Sequence, residues 1–209
     1  RNPDSELVVT GCLAERYGPS LEEALGDDVN SVAGFGVPVT LSRKQNTSEF
    51  DLLNLPRPSS NRPWGYVKVA EGRDRICGFC SIPSFRGPQR SRSVNAILAE
   101  IESMELSEVV LIAQDLASYG RDLNETANMQ QLYEEVSKVV EWVRLLYLYP
   151  SSLNESLIET IGSSPVPYFD LSLQHVSQPL LRRMRRWGNY DKFTETINRI
   201  RLINNNCLL

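Results

Sequence analysis

Apolar residues in this chain alternate between short near-continuous runs and longer stretches at helical spacing. Leu7-Val8-Val9-Thr10-Gly11-Cys12 is an apolar run closed by a glycine, which suits a buried strand with a tight exit. Pro19 to Leu25 has room for one or two helical turns, and Val29 and Val32 suit another short strand. A firmer rhythm begins at Trp64. Tyr66-Val67-Lys68-Val69-Ala70 reads as a strand. Ser93 can cap a helix carrying Val94, Ile97, Leu98, Ile101 and Met104 at helical spacing. Glu108 to Ala113 reads as a strand, Leu132 to Val140 as a helix, and Val143 to Leu148 as a strand stopped by Pro150. Leu157, Ile158 and Ile161 mark a short helix, Phe169 to Leu173 a fourth strand, Leu180 to Met184 a helix, and Phe193 to Ile203 the last one.

Strands that are apolar throughout, interleaved with helices, imply a parallel sheet covered by helices. Right-handed crossovers curl such a series into a barrel or a doubly wound sheet, with the chemistry at the C-terminal strand ends. The expected fold class is α/β, with four parallel βα units and no fifth strand. Pro56, Pro58 and Pro63, with the polar residues among them, mark a linker. The expected organisation is therefore the tail of a small α/β domain over 1–50, a linker over 51–63 and the main unit over 64–209.

Composition narrows the picture. An apolar fraction of 41% and a charged fraction of 23% are those of an ordinary globular chain. The net charge of −4 provides no global basic field for nucleic acid. No apolar run reaches the roughly 18 residues of a membrane span, and the N-terminus has no export signal. The expected compartment is the reducing cytoplasm, and the first residue, Arg1, suggests a start inside a longer gene product. Four cysteines, Cys12, Cys77, Cys80 and Cys207, are too few for a disulfide framework.

Cys77 and Cys80 form a C-x-x-C pair in the loop after the first strand of the series, at the reactive face. Residues alone leave four readings open: a zinc site, a dithiol redox pair, two structural cysteines, or an iron–sulfur cluster. Zinc would need two more ligands, and His175 is the sole histidine. Two basic runs, Arg86, Arg90 and Arg92, then Arg182, Arg183, Arg185 and Arg186, read first as solvated faces.

The segment from Tyr66 through Cys77-Gly78-Phe79-Cys80 to Arg92 resembles the cluster loop of the radical S-adenosylmethionine methylthiotransferases. The resemblance continues through Ala113-Gln114-Asp115-Leu116-Ala117-Ser118-Tyr119-Gly120, Tyr147-Leu148-Tyr149-Pro150 and Leu173-Gln174-His175-Val176-Ser177. That family carries C-x-x-x-C-x-x-C in the loop, where three thiolates hold a [4Fe–4S] cluster and the open iron takes S-adenosyl-L-methionine. Cys77 and Cys80 match the second and third cysteines, and Arg73 stands where the first belongs. Gln114-Asp115 with Tyr119-Gly120 is similar to the branch that modifies an aspartate of a small-subunit ribosomal protein; the alternative is the transfer-RNA adenosine branch. Val8 to Gly18 resembles the end of the family's N-terminal domain, with Cys12 matching the third ligand of an auxiliary cluster.

The resemblance implies a partial radical S-adenosylmethionine barrel and transfer of a methylthio group. It implies Cys77 and Cys80 as ligands of the first cluster, Cys12 as a ligand of the second, and Phe79, Gln114 and His175 at the cofactor. The implied partners are a small-subunit ribosomal protein, ribosomal RNA near it and an electron donor protein. A guanidinium cannot replace a thiolate, so Arg73 makes a non-catalytic fragment the competing expectation.

Overall fold

The computed structural model describes residues 6–34, 53–54, 62–123 and 127–209, so most of the expected linker lies outside the described residues. The chain divides into two compact units, Arg1–Leu55 and Pro56–Leu209. In the first, β1 (Val8–Thr10) leads into α1 (Cys12–Leu25) and then β2 (Ser31–Ala33), and the two strands pair in parallel. The helix is longer than the expected turns because it continues across a kink at Gly18, ahead of Pro19. Cys12 is the first helical residue and is exposed.

The second unit is built on β3 (Trp64–Lys68), β4 (Ala70–Glu71), α2 (Ile82–Arg86), β5 (Arg90–Ser91), α3 (Val94–Met104) and β6 (Glu108–Ile112). It continues with α4 (Met129–Val136), β7 (Trp142–Leu145), α5 (Glu155–Gly162), α6 (Gln178–Arg183) and α7 (Tyr190–Ile203). The sheet order is β3-β6-β7, parallel throughout, with Lys68 opposite Ile112 and Leu111 opposite Leu145. Central β6 is apolar because it is covered on both faces: Val109, Val110 and Leu111 are all buried. Four helices, α3, α4, α5 and α7, begin where a side chain satisfies an orphan N–H group. Ser93, Asn128, Asn154 and Asn189 accept from the N–H of Ala96, Gln131, Leu157 and Lys192 respectively.

The fourth expected strand, over 169–173, is present only as isolated parallel bridges. Leu148 pairs with Leu171, and Tyr168 pairs with Leu208. The second bridge brings Leu208 beside Tyr168, a pairing the apolar pattern did not anticipate. No antiparallel pairing occurs among β3, β6 and β7. The antiparallel ladder in this unit is the short β4–β5 hairpin, Ala70 opposite Ser91 and Glu71 opposite Arg90. Its loop carries both cysteines of the C-x-x-C pair. Among the described residues no helix is long and apolar enough to cross a membrane.

Leu111 is fully buried at the centre of the sheet, whereas Leu202 on α7 is 86% exposed. Leu111→Ala is expected to cost about 2–5 kcal/mol in urea unfolding. Leu202→Ala should stay within about 0.5 kcal/mol of the parent.

Candidate functional site

Parallel strands deliver their exits to one end of the sheet, and a cavity of about 450 Å³ opens there. Lys68 and Ile112 end β3 and β6 at its wall, followed by Ala113, Gln114 and Asp115. Tyr147, Tyr149, Ser172 and Gln174 come from the next two exits, Arg73, Phe79 and Ile82 from the hairpin loop, and Arg186 from beyond α6. Tyr147 (φ 65°) and Gln174 (φ 71°) hold left-handed backbone that is costly for residues with a Cβ. Both strained positions line the cavity, where such strain concentrates when a site dictates side-chain direction.

The hairpin loop is fixed at several points. Gly72 adopts φ 81°, and a Cβ there would run into the Pro88 carbonyl. The Arg73 N–H donates to Gly87 O at 3.0 Å, and Asp74 Oδ1 accepts the Gln89 N–H at 3.0 Å. Further along, the Gly78 N–H donates to Met184 O at 2.8 Å. A Cβ on Gly78 would stand 2.9 Å from Arg183 O, so glycine permits this close approach.

Two carboxylates organise the cavity floor. Glu71 is buried; its Oε2 accepts from Lys68 Nζ at 2.8 Å, and its Oε1 accepts from Arg86 Nη1 at 2.8 Å and Gln114 Nε2 at 3.1 Å. Asp115 is also buried; its Oδ2 accepts from Arg75 Nε at 2.6 Å and from the Ser118 hydroxyl at 3.0 Å. The Tyr149 ring is flanked by two guanidiniums, Arg75 at 4.1 Å and Arg186 at 4.5 Å from the ring centroid.

The sulfur atoms have cationic neighbours. Arg73 Nη2 donates to Cys77 Sγ at 3.4 Å, and Arg73 Nη1 donates to Cys80 Sγ at 3.9 Å. Arg186 Nη1 also reaches Cys77 Sγ, at 3.8 Å. The residue in the place of the missing cysteine thus points its guanidinium at both remaining thiols.

Of the residues singled out from sequence, Phe79 and Gln114 line the cavity, and Cys77 and Cys80 lie against Arg73 at its edge. His175 is exposed and does not line it; its Nδ1 accepts the Ser177 N–H at 2.8 Å and so shapes the turn after Gln174. Cys12 belongs to the other unit. The pattern did not single out Glu71, Arg75 or Tyr149 as site residues. Arg186 was read only as part of a basic run. Glu71 and Tyr149 nevertheless lie inside the segments that carried the family resemblance.

The family model of the radical SAM superfamily matches residues 69–208. This chain belongs to the radical SAM superfamily. Its curated relatives include proteins named ribosomal protein uS12 methylthiotransferase RimO. The one from Christiangramia forsetii is 34% identical over 203 residues, covering 94% of this chain and 45% of that protein. The one from Desulfotalea psychrophila is 38% identical over 213 residues, covering 90% and 48% respectively. The chain spans about half the length of the curated relatives it matches. Among solved structures, the radical S-adenosylmethionine methyltransferase TsrM from Kitasatospora setae superimposes with a TM-score of 0.52 at 14% identity, over 66% of this chain and 28% of that one. That similarity is one of fold, the parallel strand-and-helix series.

Radical SAM membership implies a [4Fe–4S] cluster and S-adenosyl-L-methionine. The cavity has the size of a small-molecule site, within the usual range of about 300–1,000 Å³. The cluster does not fit the residues present. Arg73 stands in the place of the first of the three cysteines, and a guanidinium has no lone pair for iron and does not lose its charge. Among the described residues no group of three His, Cys, Asp or Glu side chains could hold a metal ion. A radical step through the cluster therefore has no support from this ligand set.

Glu71 carries a testable electrostatic signature. Burial raises its pKa, but the hydrogen bond and charge of Lys68, joined by Arg86, outweigh that and bring it below the ordinary 4.5. A depressed carboxylate contributes stability that is whole above the unfolded pKa and is lost as pH falls through the folded one. Glu71→Gln should therefore lower the melting temperature near neutral pH, and the gap to the parent should close in melts taken down to about pH 3. A gap independent of pH would assign the role of Glu71 to packing alone.

Proposed function

We propose that this chain is the cofactor-binding part of a methylthiotransferase acting on an aspartate of ribosomal protein uS12, altered at one cluster ligand. The observation that carries the reading is the convergence of Cys77, Phe79, Cys80, Gln114 and Asp115 at one end of a parallel sheet. It occurs in a chain 34% to 38% identical to relatives of that name. Residues 1–50 belong, on this reading, to the N-terminal methylthiotransferase domain, with 51–63 as linker and 64–209 as the incomplete barrel. Cys12 would serve the auxiliary cluster.

Phe79 and Gln114 contact the cofactor from the cavity wall, and His175 contributes from the adjoining turn, where its Nδ1 accepts the Ser177 N–H. Lys68 and Arg86 keep Glu71 ionised, and Glu71 in turn fixes the Gln114 amide by accepting from its Nε2. Arg75 and Ser118 fix Asp115 in the same way. The proposed partners are uS12, ribosomal RNA beside it and an electron donor protein, in the cytoplasm. Arg73 favours a second reading from another class, a non-catalytic binding module that keeps the cavity without the radical chemistry.

One pair of measurements separates the two. After anaerobic reconstitution with iron and sulfide, the Arg73 chain should hold almost no iron and release no 5′-deoxyadenosine from S-adenosyl-L-methionine. Arg73→Cys completes a three-thiolate set and should bind close to four irons per chain. Stoichiometric cluster binding by the Arg73 form would show that other residues hold the irons. Failure of Arg73→Cys to take up iron would remove the loop from the methylthiotransferase reading.

A further inference from the structure

The charges around the cavity do not cancel evenly. Glu71 is matched by Lys68 and Arg86, and Asp115 by Arg75. Arg73 and Arg186 have no carboxylate partner among the described residues. Both line the cavity, and both reach the same sulfur, Cys77 Sγ, so the two cations stand close together. Arg186 is only 9% exposed; besides that sulfur it donates to the Ser172 carbonyl and stacks on Tyr149. The Nε atoms of both arginines are buried without a hydrogen-bond partner. Two like charges on one cavity wall with no carboxylate between them favour an anion that joins them.

The remainder of the cavity restricts the class of ligand. Phe79, Tyr147 and Ile82 give apolar and aromatic walls suited to a flat ring. Gln114 Oε1 and Asp115 Oδ1 are buried acceptors without partners, and both residues line the same space. A ligand with an oxyanion at one end and an aromatic body suits the two guanidiniums and these walls.

We propose that Arg73 and Arg186 form an oxyanion site where the superfamily places its cluster, so that the cavity binds an adenosyl amino acid through its carboxylate without iron. The shared chemistry is an oxyanion between two guanidiniums, and free phosphate is the alternative source. The site stands on the two guanidiniums and does not depend on the uS12 reading.

The test uses the whole chain, freed of metal with a chelator, in titration calorimetry with S-adenosylhomocysteine, with inorganic phosphate and with adenosine, which lacks an oxyanion. S-adenosylhomocysteine should bind, phosphate should compete with it, and adenosine should bind at least roughly tenfold more weakly, as expected for loss of a charge-assisted pair. Binding of phosphate alone would keep the oxyanion site and assign it to the free ion. Arg73→Gln and, separately, Arg186→Gln should each weaken the oxyanion ligands by roughly tenfold or more. Arg182→Gln, on the exposed side of α6, should leave them unchanged. Absence of binding by either oxyanion, equal affinity for adenosine and S-adenosylhomocysteine, or an unaffected Arg73→Gln variant would each overturn the proposal. Because no iron is present, any of these results leaves the outcome of Arg73→Cys reconstitution independent.

Discussion

In a parallel sheet every strand leaves through the same edge, and this constraint underlies the rest of the molecule. The β3-β6-β7 register sets Lys68 beside Ile112 and Leu111 beside Leu145, so the exits of three strands stand level. Residues far apart in sequence then share one cavity without any of them needing a local motif. Arg75 meets Asp115, and Arg186 meets Cys77 across 109 positions of chain. The buried apolar strands supply the rigidity, and the residues just beyond them supply the chemistry. Left-handed backbone at Tyr147 and Gln174 is the local cost of aiming those residues.

Within that frame the site is an exercise in compensating charge. Glu71 and Asp115, both buried, are each met by a cation at hydrogen-bond distance, which fixes their orientation. The hairpin loop, by contrast, carries a positive group where the motif it resembles calls for a cysteine thiolate. Replacing a thiolate by a guanidinium reverses the sign of the site and removes a lone pair from it. The change therefore alters what the cavity can bind, while leaving in place the loop's contacts to Gly87 and Met184.

The strands and helices of the second unit were largely legible because burial on both faces forces unbroken apolar runs, as in Val109-Val110-Leu111. Residues 169–173 carry the same kind of run but form only bridges, because ladder formation also depends on neighbouring strands that a local pattern does not reveal. The β4–β5 hairpin was not legible at all: two residues per strand, including Glu71 and Arg90, have no period to read. At the site, the C-x-x-C pair and the Gln114-Asp115 segment were visible as motifs. Arg186 was not, since a basic run after a helix has the composition of a solvated face, and only tertiary packing brings this one arginine to Cys77. His175 lies in a family motif, and its geometry puts it in the turn next to the cavity rather than in the lining.

The central claim is that the Arg73 guanidinium stands in the place of the first cysteine of the motif and excludes the cluster. Iron anomalous diffraction from crystals of this chain, grown anaerobically with iron and sulfide, tests it directly. The account predicts no iron peak beside Cys77 or Cys80, with Arg73 Nη2 close to the observed 3.4 Å from Cys77 Sγ. Anomalous density for a four-iron cluster bonded to both cysteines, with the Arg73 side chain displaced from them, would contradict it.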